Sequence, residues 1–267
     1  MSDLNKTNER TLYLTADGAR LDDDCRIRVR GRSTMTCVPD AWQIDVSGLS
    51  SFNLAMVRRA SVVSVLNENG STICAGRPFS VGQHSVAGRL VDTISINDGE
   101  DFWRSSVNLA IRGGASVVES IRTMIQSCSV AVPLASVPSS TARMPRGQSY
   151  FGRTPDALTS LVSGLGWRAF TYQGALYIIS QDQGLDRVTL TDADLLDEPN
   201  LDNGSIRTKT EIEMRRPGQL IELKTRAVTG TFRLVAVTID ADNYSGPWTC
   251  EYTLMNEIII DRGWEGI

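Results

Sequence analysis

Gly230-Thr231-Phe232-Arg233-Leu234-Val235-Ala236-Val237-Thr238-Ile239, running on into Asp240-Ala241-Asp242-Asn243-Tyr244-Ser245-Gly246-Pro247-Trp248-Thr249-Cys250-Glu251-Tyr252, decides the fold class of this chain. Apolar side chains alternate or nearly alternate along both runs, and Gly, Pro, Asp and Asn separate them. Period-two alternation sends successive side chains to opposite faces of a strand, and the separating residues favour turns. Upstream, Pro217-Gly218 opens a third run, Gln219-Leu220-Ile221-Glu222-Leu223-Lys224. Residues 212–252 therefore predict a compact antiparallel set of strands with no plausible catalytic pair. A strand-built end of this kind suggests a building block rather than an enzyme.

The N-terminal third reads the same way. A strand at Thr11-Leu12-Tyr13-Leu14-Thr15 precedes a turn at Asp17-Gly18. In residues 25–30, Ile27 and Val29 fall on one face and Arg26, Arg28 and Arg30 on the other. Residues 41–46 repeat the pattern with Trp42, Ile44 and Val46 inward. The stretch from Gly31 to Pro39 predicts a hairpin excursion with a long tip. Ser50 caps a short helix reaching Val57. A strand at 60–66 turns at Asn67-Glu68-Asn69-Gly70 into a second at 71–76, a hairpin signal. A further strand is predicted over 85–97, with Leu90, Ile94 and Ile96 apolar, and residues 107–111 are expected to pair beside it.

Then the period changes. Val117, Ile121, Met124 and Ile125 share one helical face, and Ser116 with Glu119 three residues on forms a capping signature. Residues 129–150, rich in Pro and Ser, predict an extended connector. Thr154 and Pro155 predict an N-cap and first position of a second helix, which stops at Gly164 to Gly166. Residues 167–172 and 175–179 form a hairpin across Gln173-Gly174. From Leu185 onward the chain is strand-rich again. The class is α+β, mostly β: two barrel-like parts around a small αβ module.

Bulk properties narrow the chemistry. The chain has 267 residues, a net charge of −4 and no clustered Lys and Arg, so no nucleic-acid-binding face is expected. Its one like-charge run, Asp22-Asp23-Asp24, reads as a solvated turn. No apolar run approaches the roughly 18 residues of a membrane helix. The polar residues 1–10 lack the apolar stretch of a signal peptide, so synthesis in a cytoplasm without export is the expectation. Cys25, Cys37, Cys74, Cys128 and Cys250 show no paired spacing, which points away from zinc and from a disulfide framework. His84, the only histidine, reads as a loop residue after Gly82. Gly113-Gly114 lacks the remaining positions of a phosphate-binding motif and reads as a turn. Trp42, Trp103, Trp167 and Trp248 read as core or interface anchors, with Trp248 buried against its own barrel. The arginine face reads as solvated or inter-subunit. No catalytic, metal or cofactor residue is expected.

Taken together, the local patterns resemble those of the baseplate and tail hub proteins of tailed bacteriophages, which share their fold with contractile injection machines. The similarity is carried by Arg10-Thr11-Leu12-Tyr13-Leu14, Arg26-Ile27-Arg28-Val29 and the stretch from Val38-Pro39-Asp40 to Gly48-Leu49-Ser50. It continues through Ile96-Asn97-Asp98-Gly99 to Trp103, Gly114-Ala115-Ser116-Val117, Phe151-Gly152 and Trp167. It closes with Arg216-Pro217-Gly218 and the Gly230-to-Trp248 run. The resemblance implies two tail-tube-like antiparallel β-barrel domains, at 1–97 and 185–267, flanking the αβ module at 98–184. It further implies a homotrimer whose six barrels adapt a six-fold tail tube to a three-fold spike. Implied partners are a second and third copy, the tail tube protein, the central spike, other baseplate proteins, and DNA only in transit. Implied localisation is the virion tail, with synthesis in the bacterial cytoplasm. Another tail component, such as a distal tail ring or a tube initiator, is the alternative, and a tail-associated cell-wall hydrolase a more distant one. Ile258, Ile259, Ile260 and Trp264, apolar residues beyond the last strand, are the interface candidates.

Overall fold

The computed structural model describes residues 10–21, 25–86, 88–180, 185–202 and 204–256. The first part contains β1 (Leu12–Ala16), β2 (Ala19–Arg20), β3 (Arg26–Thr34), β4 (Asp40–Ser47), α1 (Ser51–Arg59), β5 (Val63–Asn67), β6 (Thr72–Val86) and β7 (Arg89–Asp98). The middle contains α2 (Glu100–Arg104), β8 (Ser106–Ile111), α3 (Val117–Gln126), β9 (Leu134–Ser136), β10 (Gln148–Arg153), α4 (Thr154–Ser163), β11 (Trp167–Tyr172) and β12 (Ala175–Ser180). The last part contains β13 (Leu185–Thr191), a 3-10 turn (Asp192–Asp194), β14 (Asn200–Asp202), β15 (Ser205–Glu211), β16 (Gln219–Lys224), β17 (Thr229–Asp242) and β18 (Trp248–Met255).

Thirteen strands from the first and last parts join in one sheet, in the order β14-β15-β18-β17-β3-β4-β7-β6-β5-β1-β2, with β16 and β13 branching from β17. The join is the antiparallel seam between β17 and β3, from Ala236 opposite Thr34 to Asp242 opposite Arg28. The inward side chains of both parts fill one hydrophobic core: Ile27, Val29, Ile44 and Val46 from the first, Leu234, Val237, Ile239 and Tyr252 from the last. Burial of these alternating faces is the dominant favourable term. Tyr252 also satisfies its buried hydroxyl, donating to the Glu213 carbonyl at 2.7 Å.

Two long strands make this joining possible by each serving more than one neighbour. β6 pairs with β5 through residues 72–76 and with β7 from Arg77 onward, changing partner at Gly76. A Cβ on Gly76 would lie 2.5 Å from the Asn97 carbonyl oxygen, so only glycine allows that close crossing. β17 likewise serves β16 with its first residues and β3 with its last. Gly31 lies on the seam opposite Ile239, and Trp42, which is buried, stacks over its missing side chain.

The middle module has its own core around Phe102, Ile121, Met124, Leu158 and Ile178. α3 starts at Ser116, whose side chain accepts from the Glu119 N–H. A third cluster, Phe170, Tyr172, Tyr177 and Ile179 with Met35, Val235 and Met255, fastens the module to the sheet.

Several expectations change. The 31–39 tip is shorter, because β3 continues to Thr34 and pairs with β17. The strand expected at 85–97 begins only at Arg89; Ser85 and Val86 close β6, and Leu90 is exposed. Residues 107–111 pair with β10, not with β7, whose two edges are already taken by β4 and β6. The connector holds β9 and the start of β10, and Met144 in it is buried. In the second helix Arg153, not Thr154, occupies the N-cap position and makes no side-chain cap hydrogen bond, so Thr154 is the first helical residue and is fully buried. The C-terminal set is not purely antiparallel, since β13 runs parallel to β16. His84 lies in β6 rather than in a loop.

Candidate functional site

The outer face of the central sheet carries a ladder of paired charges. Alternation along β3 that buries Ile27 and Val29 necessarily turns Arg26, Arg28 and Arg30 outward. Each meets an aspartate from a neighbouring strand. Arg26 Nη2 donates to Asp242 at 2.7 Å. Arg28 grips Asp240 with Nε at 3.0 Å and Nη2 at 2.9 Å, a two-pronged contact between residues 212 apart in sequence. Arg30 Nη2 donates to Asp45 at 2.7 Å, and the same carboxylate accepts from Gln43 Nε2 and Thr93 Oγ1. Burial pulls the Asp45 carboxyl upward, but the bonds from Gln43, Thr93 and Arg30 prevail and hold it below the usual carboxylate range. Asp242 is held low in the same way, with Arg26 as its main partner against burial. Every guanidinium of the ladder is therefore paired with a carboxylate, and the face is internally compensated.

Beside the ladder, β6 and β7 run out as a two-stranded arm. Residues 82–86 and 88–90 are exposed on both faces. Phe79, at its base, is 57% exposed and Leu90 is 62% exposed. A cavity of about 420 Å³ opens between arm and ladder, lined among others by Arg28, Asp45, His84 and Arg89. An isolated hairpin is marginal in water and gains from a third strand or a packed face. Among the described residues, β6 has no strand partner on its second edge beyond Gly76, and β2, β13 and β14 each end the sheet with an open edge. Open edges present unpaired backbone donors and acceptors to another chain.

The interface candidates Ile258, Ile259, Ile260 and Trp264 lie outside the described residues. Trp42 is buried in the core, while Trp248 is half-buried, with Arg10 5.9 Å above its ring. Gly114 is a left-handed turn residue, held by its N–H to the Met144 carbonyl. His84 is exposed, its Nδ1 3.3 Å from Thr93 Oγ1. Among the described residues no group of three or more His, Cys, Asp or Glu is placed to hold a metal ion. The sequence reading missed the acidic half of the ladder. Asp240 and Asp242 do share the two-residue spacing of their partners Arg28 and Arg26, and that matched charge alternation is the signal that was present.

No protein-family model matches the chain, and no curated protein does. Solved structures do. A 43 kDa tail protein of prophage MuSo2 from Shewanella oneidensis superimposes with a TM-score of 0.68 at 7% identity, over 94% of this chain and 99% of that one. The tail protein from Neisseria meningitidis MC58 gives 0.62 at 11% identity, over 92% and 96%. An E. coli component of the type VI secretion system, described as structurally similar to the T4 bacteriophage tail proteins gp27 and gp5, gives 0.66 at 11% identity, over 91% and 76%. The chain thus has the fold of phage tail and baseplate-type proteins, mostly β with a small helical share.

Proposed function

We propose that this protein is a non-enzymatic structural component of a phage-type tail, a homotrimeric hub that adapts a six-fold tube to a three-fold spike and forms part of the DNA channel. The observation that carries the reading is the central sheet. Strands from both chain ends merge into one thirteen-stranded sheet, and the similar solved structures of tail proteins match more than nine-tenths of the chain. Open sheet edges and the exposed arm supply surfaces on which copies join head to tail, the geometry a closed ring requires. The compensated ladder suits a wall past which DNA slides, because each guanidinium already has a carboxylate partner and offers phosphate little net charge. Tube protein, spike and neighbouring baseplate proteins are the partners of this reading, and the virion tail its location.

The mass of the purified oligomer tests it. Three copies support the hub, six copies favour a distal ring or tube initiator, and a monomer at micromolar concentration overturns the ring. Deleting residues 258–267 is expected to weaken trimer or spike association; unchanged assembly removes that segment from the interface. Clearing of peptidoglycan in a zymogram would instead favour a hydrolase.

A further inference from the structure

Asp40 and Asp98 stand opposite each other in the register of β4 and β7, and both are nearly sealed from solvent. Directly opposed residues of adjacent strands are about 5 Å apart, where two ionised carboxylates repel. Each carboxylate holds a different piece of backbone. Asp40 accepts from the N–H and hydroxyl of Thr34, at 3.0 and 2.9 Å, and so closes the β3–β4 turn. Asp98 accepts from the N–H groups of Gln173 and Gly174, the two left-handed residues of the β11–β12 turn. That turn belongs to the middle module. Gln173 adds a bond from Nε2 to the Thr72 carbonyl at 2.8 Å, and the Thr171 N–H donates to Thr36 O at 3.3 Å. Asp98 is therefore the carboxylate through which the sheet grips the module.

The groups facing this pair come from every neighbouring element. Arg32 of β3 favours the ionised form of Asp40. Cys74 of β6 and Tyr172 of β11 both feel the charge of Asp98. Arg77, Glu100 and Asp101 share a cleft of about 180 Å³ with Asp98, but Arg77 is bonded to Asp101 and Glu100 to Arg104.

We propose that Asp40 and Asp98 form a proton-operated clasp: with a proton on the pair the β11–β12 turn stays seated on the sheet, and with both carboxylates ionised the module loosens. Burial lifts the Asp40 carboxyl to about 7, against the opposing pull of Thr34 and Arg32. Burial also raises Asp98, although three backbone N–H groups favour its ionised form. A carboxyl raised in the folded state favours the seated form at low pH. The contribution is complete below the ordinary value of 3.8 and is lost as pH rises through about 7.

Hydrogen exchange of the Gln173 and Gly174 amides in the intact chain, corrected for intrinsic rates, reads the clasp directly. Protection is expected to fall roughly tenfold or more between pH 5 and pH 8, a tenfold change being one unit of pKa difference. Asp40→Asn should flatten that response, whereas Asp98→Asn should lower protection at both pH values. Protection independent of pH, or an unaltered pH response in Asp40→Asn, overturns the proposal. Should Asp40→Asn fail to fold, carboxyl-carbon NMR titration of the unmodified protein decides. A midpoint between pH 6 and 8 at either residue supports the clasp, and both midpoints below 5 refute it.

Discussion

Replacing Gly31 by alanine tests the seam that unites the two ends of the chain. The added Cβ would lie 2.3 Å from Trp42 Cε3 and 2.5 Å from its Cδ2. Carbon atoms in good contact sit about 3.5–4.0 Å apart, so ring or strand must move by more than about 1 Å. Neither moves freely. Trp42 is 3% exposed, and Gly31 is pinned between its partners Ile239 on β17 and Trp42 on β4. Overpacking of this kind costs about 1–3 kcal/mol. At roughly 2 °C per kcal/mol for a chain of this size, Tm should drop by about 2–6 °C in a calorimetric or fluorescence melt. Removing the ring isolates the cause. In a Trp42→Leu background the same Gly31→Ala change should cost less than about 0.5 kcal/mol, with the difference appearing as a coupling energy in a double-mutant cycle. An equal loss in both backgrounds, or no loss in either, would show that the clash does not hold the seam.

Other consequences can be measured on the same protein. Global stability should decline between about pH 4 and pH 7, because Asp40 is raised from 3.8 to about 7 when folded. Three units at 1.36 kcal/mol each give about 4 kcal/mol, and urea titrations of Asp40→Asn should show a markedly shallower decline. Tyr252→Phe removes the 2.7 Å bond to the Glu213 carbonyl and should cost about 1–2 kcal/mol by chemical denaturation; a neutral result would mean that the carbonyl finds another donor. Asp240→Asn leaves Arg28 without its two-pronged partner, yet both side chains are about one-third exposed. Its stability change should stay below about 1 kcal/mol and shrink further in 1 M salt, and a larger, salt-insensitive loss would show the ladder to be structural.

Much of the fold was legible because strand burial is a local matter. Ile27, Val29, Trp42, Ile44 and Val46 point inward as alternation requires, and Gln173-Gly174 turns with both residues left-handed. The starts of α1 and α3 were legible for the same reason, since the Ser50 and Ser116 side chains each bond only three residues ahead, whereas α4 begins one residue earlier than its sequence implied, with no side-chain cap. Pairing across distance was not. Residues 107–111 alternate in a way that suits either β7 or β10, and nothing within the segment says that the edges of β7 are occupied. The candidate surface divides along the same line. The outward arginines followed from their inward neighbours, whereas their partners Asp240 and Asp242 approach only because β17 crosses to β3 over 212 residues.

In the core strands, side-chain periodicity alone fixed which face meets water, whereas in the arm of β6 and β7 both faces are exposed because no neighbouring element covers them. Which strands share hydrogen bonds, how the two chain ends close one core, and why two acids come to oppose each other in the interior were decided only in three dimensions. Backbone donors and acceptors are the same at every residue and carry no address, so shape and packing choose among them.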